Sequence, residues 1–363
     1  MVLYYLLGWQ TISRYKASGN QPSIKLAVVV AARNEQKNIL QLLNCLKKQT
    51  YPNTLFDVFV IDDHSEDLTP EVVESFEMNN LYLFHLKDYV DDTVIAFKKR
   101  AIDLAVNNTD AELIVTTDAD CTMGRNWLRQ MAGFYQETQS HFIVAPVDFK
   151  PLNSLLKKLQ ELDFLSMMAV TGASVEHKFY NLSNGANMAY TKKAYETVSG
   201  YDGNNSPSGD DVFLIEKIGK AFPESVNYLK NREAIVFTQP CDTFSELFQQ
   251  RMRWISKTKH YTDLRTKLLA LGFLGFYITL FLNVVGSFFN PYFFTLFITQ
   301  FLIKIVVDFA ILEDSADFFE QKKLLYLFPV VELFHFPFTF IVGIASQFFP
   351  YKWKNRKFET SDQ

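Results

Sequence analysis

The sequence predicts an α/β domain, Rossmann-like with an open and mostly parallel sheet, followed by transmembrane helices at its C-terminal end. Three observations carry this. Between residues 24 and 148, short runs rich in Val, Ile and Leu alternate with segments of helical periodicity. Acidic residues recur at the ends of those runs, and beyond about residue 260 come three apolar stretches of membrane length. With 363 residues, 48% of them apolar and 35 of them Phe, the chain can fill a sizeable core and still leave apolar surface for lipid to cover.

The elements follow in order. "IKLAVVVAA" is a continuous apolar run suited to a strand buried on both faces. "EQKNILQLLNCLKKQ" sets Ile39, Leu42, Leu43 and Leu46 at helical spacing. "LFDVFVIDD" is the next strand, and "TPEVVESFEMN" a helix with Thr69 as N-cap and Pro70 at its first position. A strand "LYLFHL", a helix "VIAFKKRAIDLAV", a strand "AELIVTTDAD", a helix "RNWLRQMAGFYQ" and a strand "HFIVAPV" complete the alternation.

The C-terminal part has another character. Leu268 to Phe289 is 22 residues without a charge, enough to cross a bilayer. Pro291 to Leu312 carries Lys304 and Asp308, whose i,i+4 spacing lets them neutralise each other on one helix face. Leu324 to Phe349 is interrupted by Pro329, Glu332, His335 and Pro337, which fits a kinked or re-entrant course. Arg251, Arg253, Lys257, Lys259, Arg265 and Lys267 crowd before the first span, so the positive-inside rule puts that flank and the preceding domain in the cytoplasm. Three full crossings would then send the basic tail "YKWKNRK" to the far side, against the same rule. "FSELFQQRMRWISK" has the composition of a helix on a membrane surface, and "NSLLKKLQELDFLSMMAV", with a similar apolar face, is expected on the same surface.

The resulting organisation is an apolar N-terminal anchor or helix stub over 1–20, a cytoplasmic α/β domain over 21–240, an interfacial helix over 241–267, about three membrane helices over 268–349, and a basic tail over 350–363. "MVLYYLLGWQ" is too short to span and lacks the basic n-region and cleavage site of a signal peptide. The net charge of −4 excludes a generally basic nucleic-acid binder. Cys45, Cys121 and Cys241 show no C-x-x-C spacing and read as buried thiols in a reducing compartment.

In open α/β sheets ligands bind outside the carboxyl ends of the strands. There the first strand carries Arg33, Asn34 and Glu35, the second Asp62 and Asp63, and the fourth Asp118 and Asp120. Each alone is explained by turn or cap chemistry, Asn34 with Glu35 as an N-cap above all. All three at one edge look like a single site. No G-x-G-x-x-G follows the first strand, so a dinucleotide held by a glycine turn is not expected. A carboxylate pair at a strand end suits Mg²⁺ or Mn²⁺, which in turn holds phosphates, and a nucleoside diphosphate is the natural ligand. Lys98 and Lys99 would add positive charge nearby.

"VVVAARNEQKNI", "VFVIDDHSED", "FKKRAI", "TTDADC", "NGANMAY", "SGDDVFL" and "QRMRW" stand in the order seen in family 2 glycosyltransferases, in the membrane-bound branch with a Q-x-x-R-W motif. The resemblance covers about residues 24 to 255 and implies the nucleotide-diphospho-sugar transferase fold. It implies that Arg33, Glu35 and Asp63 lie against the nucleoside, that Asp118 contacts the nucleotide sugar or its ribose, and that Asp120 ligates the metal. Lys98 corresponds to the lysine of the family's G-K-x-x-A-L stretch, with Phe97 where that pattern has glycine. Asp210 and Asp211 occupy the family's E-D pair, which makes Asp211 the candidate general base. Gln250, Arg253 and Trp254 form the Q-x-x-R-W motif beside the donor diphosphate and the acceptor.

Elementary chemistry fits these roles. A leaving diphosphate must be neutralised, here by a metal on Asp120 with Arg253 and Lys98. A base must take the acceptor's proton, and like-charge repulsion from Asp210 favours proton uptake by its neighbour. A single carboxylate opposite the leaving group favours inversion. The blander reading of Asp211 is an N-cap of the helix beginning "VFLIEKIGK". The expected function is thus an inverting, metal-dependent transfer of a sugar from a nucleoside-diphosphate sugar to a lipid or lipid-linked glycan. A processive polysaccharide synthase is the alternative within the family, with a membrane partner supplying further helices, and a catalytically silent scaffold the alternative outside it.

Overall fold

The computed structural model of the chain describes residues 2–17, 19, 22–90, 96–150, 153–204, 206, 209–256, 263–353 and 356–358. In chain order it begins with α1 (Val2–Thr11), β1 (Leu26–Ala32), α2 (Ile39–Lys47), β2 (Phe56–Asp62), α3 (Thr69–Glu74), β3 (Leu81–His85), α4 (Phe97–Asn107) and β4 (Leu113–Thr116). There follow β5 (Thr122–Met123), α5 (Trp127–Thr138), β6 (Phe142–Val144), β7 (Val147–Phe149), α6 (Leu155–Glu176), β8 (Met188–Thr191) and α7 (Lys192–Thr197). The remainder is α8 (Asp210–Ala221), β9 (Val226–Tyr228), β10 (Val236–Thr238), α9 (Phe244–Ser256), α10 (Leu264–Ser287), α11 (Pro291–Phe318), α12 (Phe328–Phe348), β11 (Tyr351–Trp353) and β12 (Arg356–Phe358).

These elements form two compact units. One comprises Gly8–Pro151 and Thr171–Gln239, the other Met1–Leu7, Leu152–Val170 and Pro240–Gln363. The first is built on a seven-stranded sheet of order β3-β2-β1-β4-β8-β6-β9. β1 pairs in parallel with β2 and β4, and β2 with β3. Because β1 lies inside the sheet with helices over its faces, six of its seven residues are buried, which is why its sequence is apolar without alternation. Parallel pairing brings Ala32 level with Asp62, so the segments after β1 and β2 leave the sheet at one edge.

β8 breaks the parallel rule, pairing antiparallel with both β4 and β6. Its first residue, Met188, lies opposite Thr116, the last of β4. The loop entering β8 therefore reaches the same edge as the loops leaving β1, β2 and β4.

At the start of α3 the N-cap is Leu68, not the expected Thr69, which is the first helical residue. The physical reason is that Asp67 does the capping work, its Oδ1 accepting from Thr69 N at 3.0 Å. Thr69 Oγ1 is thereby turned to accept from Glu35 N at 2.7 Å, tying the loop after β1 to α3. Nor do Asn34 and Glu35 cap α2. Its N-cap is Asn38, whose Nδ2 donates to Glu35 Oε2 at 2.7 Å.

In the first unit Trp9 is only 1% exposed, packed edge-on against Tyr228 and under the Lys230 ammonium, 3.9 Å from its ring. Lys230 Nζ also donates to Trp9 O at 2.6 Å near the end of α1, where a cation is favoured. Leu3 and Leu7 of the same helix are exposed, and Tyr5 is buried.

The second unit holds three helices long and apolar enough to cross a membrane, Leu264–Ser287, Pro291–Phe318 and Lys322–Ser346. α10 and α11 present Leu, Ile, Val and Phe side chains outward along their length. Lys304 does meet Asp308, at 2.6 Å, but it also pairs with Glu332 of α12, a partner that single-helix spacing cannot reveal. Replacing Lys304 by Met leaves two inward carboxylates without their cation. Such a loss costs about 3–5 kcal/mol when a buried pair is broken. The expected outcome is a clear drop in the melting temperature of the detergent-solubilised protein, whereas an unchanged value would make the cluster dispensable. Of the basic tail, residues 354–355 and 359–363 lie outside the described residues, as do Lys257 and Lys259 of the basic flank.

Candidate functional site

Carboxylates and basic groups converge at the edge where β1, β2 and β4 end. Lys98, in the first turn of α4, donates from Nζ to Asp118 Oδ1 at 2.7 Å and lies 3.4 Å from Asp210 Oδ2. Burial alone would lower the Lys98 ammonium, but Asp118, Asp210 and Asp211 outweigh it and hold the group well above its ordinary value. Lys98 is thus a permanent cation between the strand-end acid and the acid pair of α8. Its neighbour Lys99 does not join the site. It is 2% exposed and its Nζ donates to Asn204 Oδ1 at 2.9 Å and to Ser206 O at 2.7 Å, because successive helical residues point about 100° apart.

Asp210 and Asp211 form the first turn of α8, and both are buried. The N-cap of that helix is Gly209, at φ 78°, a left-handed conformation that glycine adopts without steric cost. Asp211 is therefore not the cap. Its Oδ1 accepts from Val212 N at 2.9 Å, and the helix N-terminus favours the anionic pair.

Sequence reasoning missed Gly185 in the loop entering β8, although it stands in the quoted "NGANMAY". Thr116 Oγ1 donates to Gly185 O at 2.9 Å and fixes the loop against β4. A Cβ at residue 185 would lie 3.1 Å from both Asp210 Oδ2 and Lys98 Nζ. Gly185→Ala should therefore displace the Lys98–Asp210 contact while leaving the fold, since the flexible Lys98 terminus can give way. Misplacement of this kind costs up to about a hundredfold in rate. The expected result is a ten- to hundredfold slower turnover, by that same principle, with melting close to wild type. Wild-type kinetics would show that this close approach does not matter.

Around Asp120 the chain is polar. Thr238 Oγ1 lies 3.4 Å from Asp120 Oδ2, Cys121 Sγ lies 3.6 Å from Oδ1, and Lys150 Nζ donates to Asp120 O at 2.8 Å. Burial, with Asp120 and Asp118, pushes the Cys121 thiol up, so it stays protonated and unreactive. Among the described residues no group of three or more His, Cys, Asp or Glu side chains converges on a metal position. One carboxylate beside a hydroxyl fits a hard cation that takes most of its ligands from substrate phosphates and water, and does not fit a zinc-type protein cage.

At the other end of the edge, Arg33 Nη1 donates to Asp63 O at 2.9 Å and Nη2 lies 3.4 Å from Glu66 Oε1. Asp63 Oδ1 is 3.0 Å from His64 Nδ1, and the His64 ring stands edge-on to Phe97, the residue before Lys98. Asp62 faces away, its Oδ1 accepting from Ser65 N at 3.2 Å. Glu35 is buried against α2 through Asn38.

Gln250, Arg253 and Trp254 belong to α9 in the other unit. There the Trp254 ring lies under the Arg251 guanidinium at 4.4 Å and beside Phe164 at 6.3 Å. Arg253 O accepts from Ser256 Oγ at 2.9 Å, and Gln250 Oε1 has no hydrogen-bond partner among the described residues.

Residues 27–198 match the family model described as glycosyl transferase family 2. The chain is 31% identical over 121 residues to a poly(ribitol-phosphate) β-N-acetylglucosaminyltransferase of Staphylococcus aureus, covering 33% of this chain and 20% of that one. It is 29% identical over 111 residues to a β-monoglucosyldiacylglycerol synthase of Trichormus variabilis, covering 31% and 23%. The match thus spans about a fifth of the length of these relatives, 20% and 23%. In fold, the chain is similar to a mannosyltransferase of Pyrobaculum calidifontis solved with GDP-Man and Mn²⁺, at TM-score 0.56 and 16% identity, over 95% of this chain and 92% of that one.

Proposed function

We propose, from the match of residues 27–198 to the family model described as glycosyl transferase family 2, that the chain moves a sugar, with inversion, from a nucleoside-diphosphate sugar to a lipid or lipid-linked glycan. The observation that carries the reading is the cluster in which one lysine, Lys98, stands between the strand-end Asp118 and the acid pair of α8. Donor-side and acceptor-side groups of the reaction thereby share one edge of the sheet.

Asp63, steadied by Arg33, is proposed to receive the base of the donor, with Glu35 shaping the wall behind it. Asp118 binds the ribose or the sugar, and Lys98 exchanges its carboxylate partner for the negative charge of the donor. Asp120 would hold Mg²⁺ or Mn²⁺, which supplies charge neutralisation to the leaving diphosphate. Asp211 takes the proton of the acceptor hydroxyl as that oxygen bonds to the anomeric carbon and the bond to the diphosphate oxygen breaks. Asp210, held by Lys98, orients the pair. Gln250, Arg253 and Trp254 take their proposed roles, beside diphosphate and acceptor, from the motif alone.

The membrane helices and the diacylglycerol named in one relative support a lipid acceptor, with the family 2 domain on the cytoplasmic side. The test is to supply purified enzyme with a panel of nucleotide sugars, Mg²⁺ or Mn²⁺, and lipid extract. One donor should be consumed and a single sugar appear on a lipid. A long polymer would favour the synthase alternative, and no consumption of any donor the silent scaffold.

A further inference from the structure

The stretch after α7 that leads to the acid pair of α8 is held, at its described residues, by three helices of the first unit. Its beginning rests on α7 and α8. The Tyr201 ring is buried, edge-on to Tyr195 of α7 at 5.7 Å and stacked on Phe213 of α8 at 6.5 Å. Lys217 Nζ, also of α8, donates to Gly200 O at 2.8 Å and to Asp202 O at 3.2 Å. The later part rests on α4. Asn204 Oδ1 accepts from Ser206 N at 2.9 Å, as in an Asx turn, and the same oxygen accepts from Lys99 Nζ at 2.9 Å. Lys99 Nζ donates to Ser206 O as well and lies 5.8 Å from the centre of the Phe213 ring. A lysine is seldom this fully buried unless fixed acceptors offset the cost of taking its amino group from water, so the contact is a built one.

Lys98 and Lys99 are successive residues in the first turn of α4, and that turn therefore meets the stretch twice. Lys99 meets it at Asn204 and Ser206, and Lys98 at Asp210, 3.4 Å away. α4 packs on β1 and β2 and buries Ala101, Ile102, Ala105 and Val106, which fixes the turn to the sheet. The place of the acid pair is thus set from the helix that also carries the cation beside Asp118.

The two lysines part company once a donor is bound. Lys98 faces the site, and the negative charge of the donor competes there with its carboxylate partners. Its grip on Asp210 loosens just when the pair must be in place. Lys99 is buried and turned to the stretch before α8, so it keeps its partners. We infer that Lys99 is a positioning residue for the transfer: bonded to Asn204 and Ser206, it keeps Asp210 and Asp211 in register with the donor after Lys98 has turned to it. The inference deepens the proposed transfer and rests on it.

The test is Lys99→Met, which keeps the length of the side chain and removes its hydrogen-bond donors. kcat should fall about ten- to hundredfold, as it does when a reacting group is slightly misplaced. Donor KM should stay close to wild type. So should the affinity and stoichiometry with which the variant binds, in the presence of Mn²⁺, the nucleoside diphosphate released from the donor that the wild type consumes. Placed on Asp211→Asn, Lys99→Met should slow the enzyme little further, because residues that act through one another are not additive. Should Lys99→Met fail to fold, Asn204→Ala, at a partly exposed position, breaks the same link from the other side and should show the same split, a lower kcat at unchanged donor KM. Wild-type kcat in the variant that folds overturns the inference, as does a loss of donor affinity that matches the loss of rate, or full additivity with Asp211→Asn. A wild-type enzyme that consumes no donor removes the proposed transfer and the inference with it, whereas an active wild type beside an unslowed variant overturns the inference alone.

Discussion

Asp120→Asn is expected to abolish sugar transfer while the protein keeps its fold. The carboxylate is partly exposed, its neighbours are the Thr238 hydroxyl and the Cys121 thiol, and Asn is nearly isosteric, so packing hardly changes. What changes is charge. The described residues offer no cage of three protein ligands, so a cation at this position depends on Asp120 and on the phosphates of the donor. Removing a single electrostatic stabiliser of a developing anion typically costs about 10²–10³ in rate, and removing a carboxylate that holds the metal should cost at least that. Nucleotide binding measured by calorimetry with and without Mn²⁺ checks the cause. Wild type should bind a nucleoside diphosphate more tightly with metal, and the variant should lose that difference. A variant whose binding still responds to metal would show that the ligand lies elsewhere.

Asp211→Asn separates proton transfer from structure. The side chain accepts a hydrogen bond from Val212 N, which the Asn oxygen can also accept, and Gly209 rather than Asp211 is the helix cap. Stability should therefore stay close to wild type, since even a lost cap costs only about 1 kcal/mol. A general base contributes about 10²–10⁴ in rate, so turnover should fall at least a hundredfold while donor and metal bind almost normally. Stopped turnover together with normal donor affinity is the signature. Retained turnover would move the base to Asp210 or another group of the same loop.

The sheet was legible because its inner strands are buried on both faces and their helices carry apolar residues at helical spacing. Leu42, Leu43 and Leu46 of α2, all fully buried, are an example. The acidic edge was legible because parallel strands run the same way, so their carboxyl ends face one edge of the sheet. β8 was not, because a four-residue antiparallel strand between longer elements has no distinctive period. Its entry loop brings Gly185 to the edge, a role that depends on Asp210 and Lys98, far away in sequence. Cap assignments failed at Thr69 because Asp67, two residues earlier, supplies a competing oxygen. The pairing of Glu332 with Lys304 escaped notice because helical spacing pairs Lys304 only within its own helix.

The most direct test of the account is the product itself. Purified enzyme, metal and membrane lipid are incubated with each nucleotide sugar in turn, and the lipid fraction is analysed by mass spectrometry and by NMR of the anomeric proton. The account predicts that one donor yields a lipid carrying one added sugar, its anomeric configuration opposite to that in the donor, and that a chelator stops its formation. A product that keeps the donor's configuration, or forms equally well with the chelator present, would contradict it.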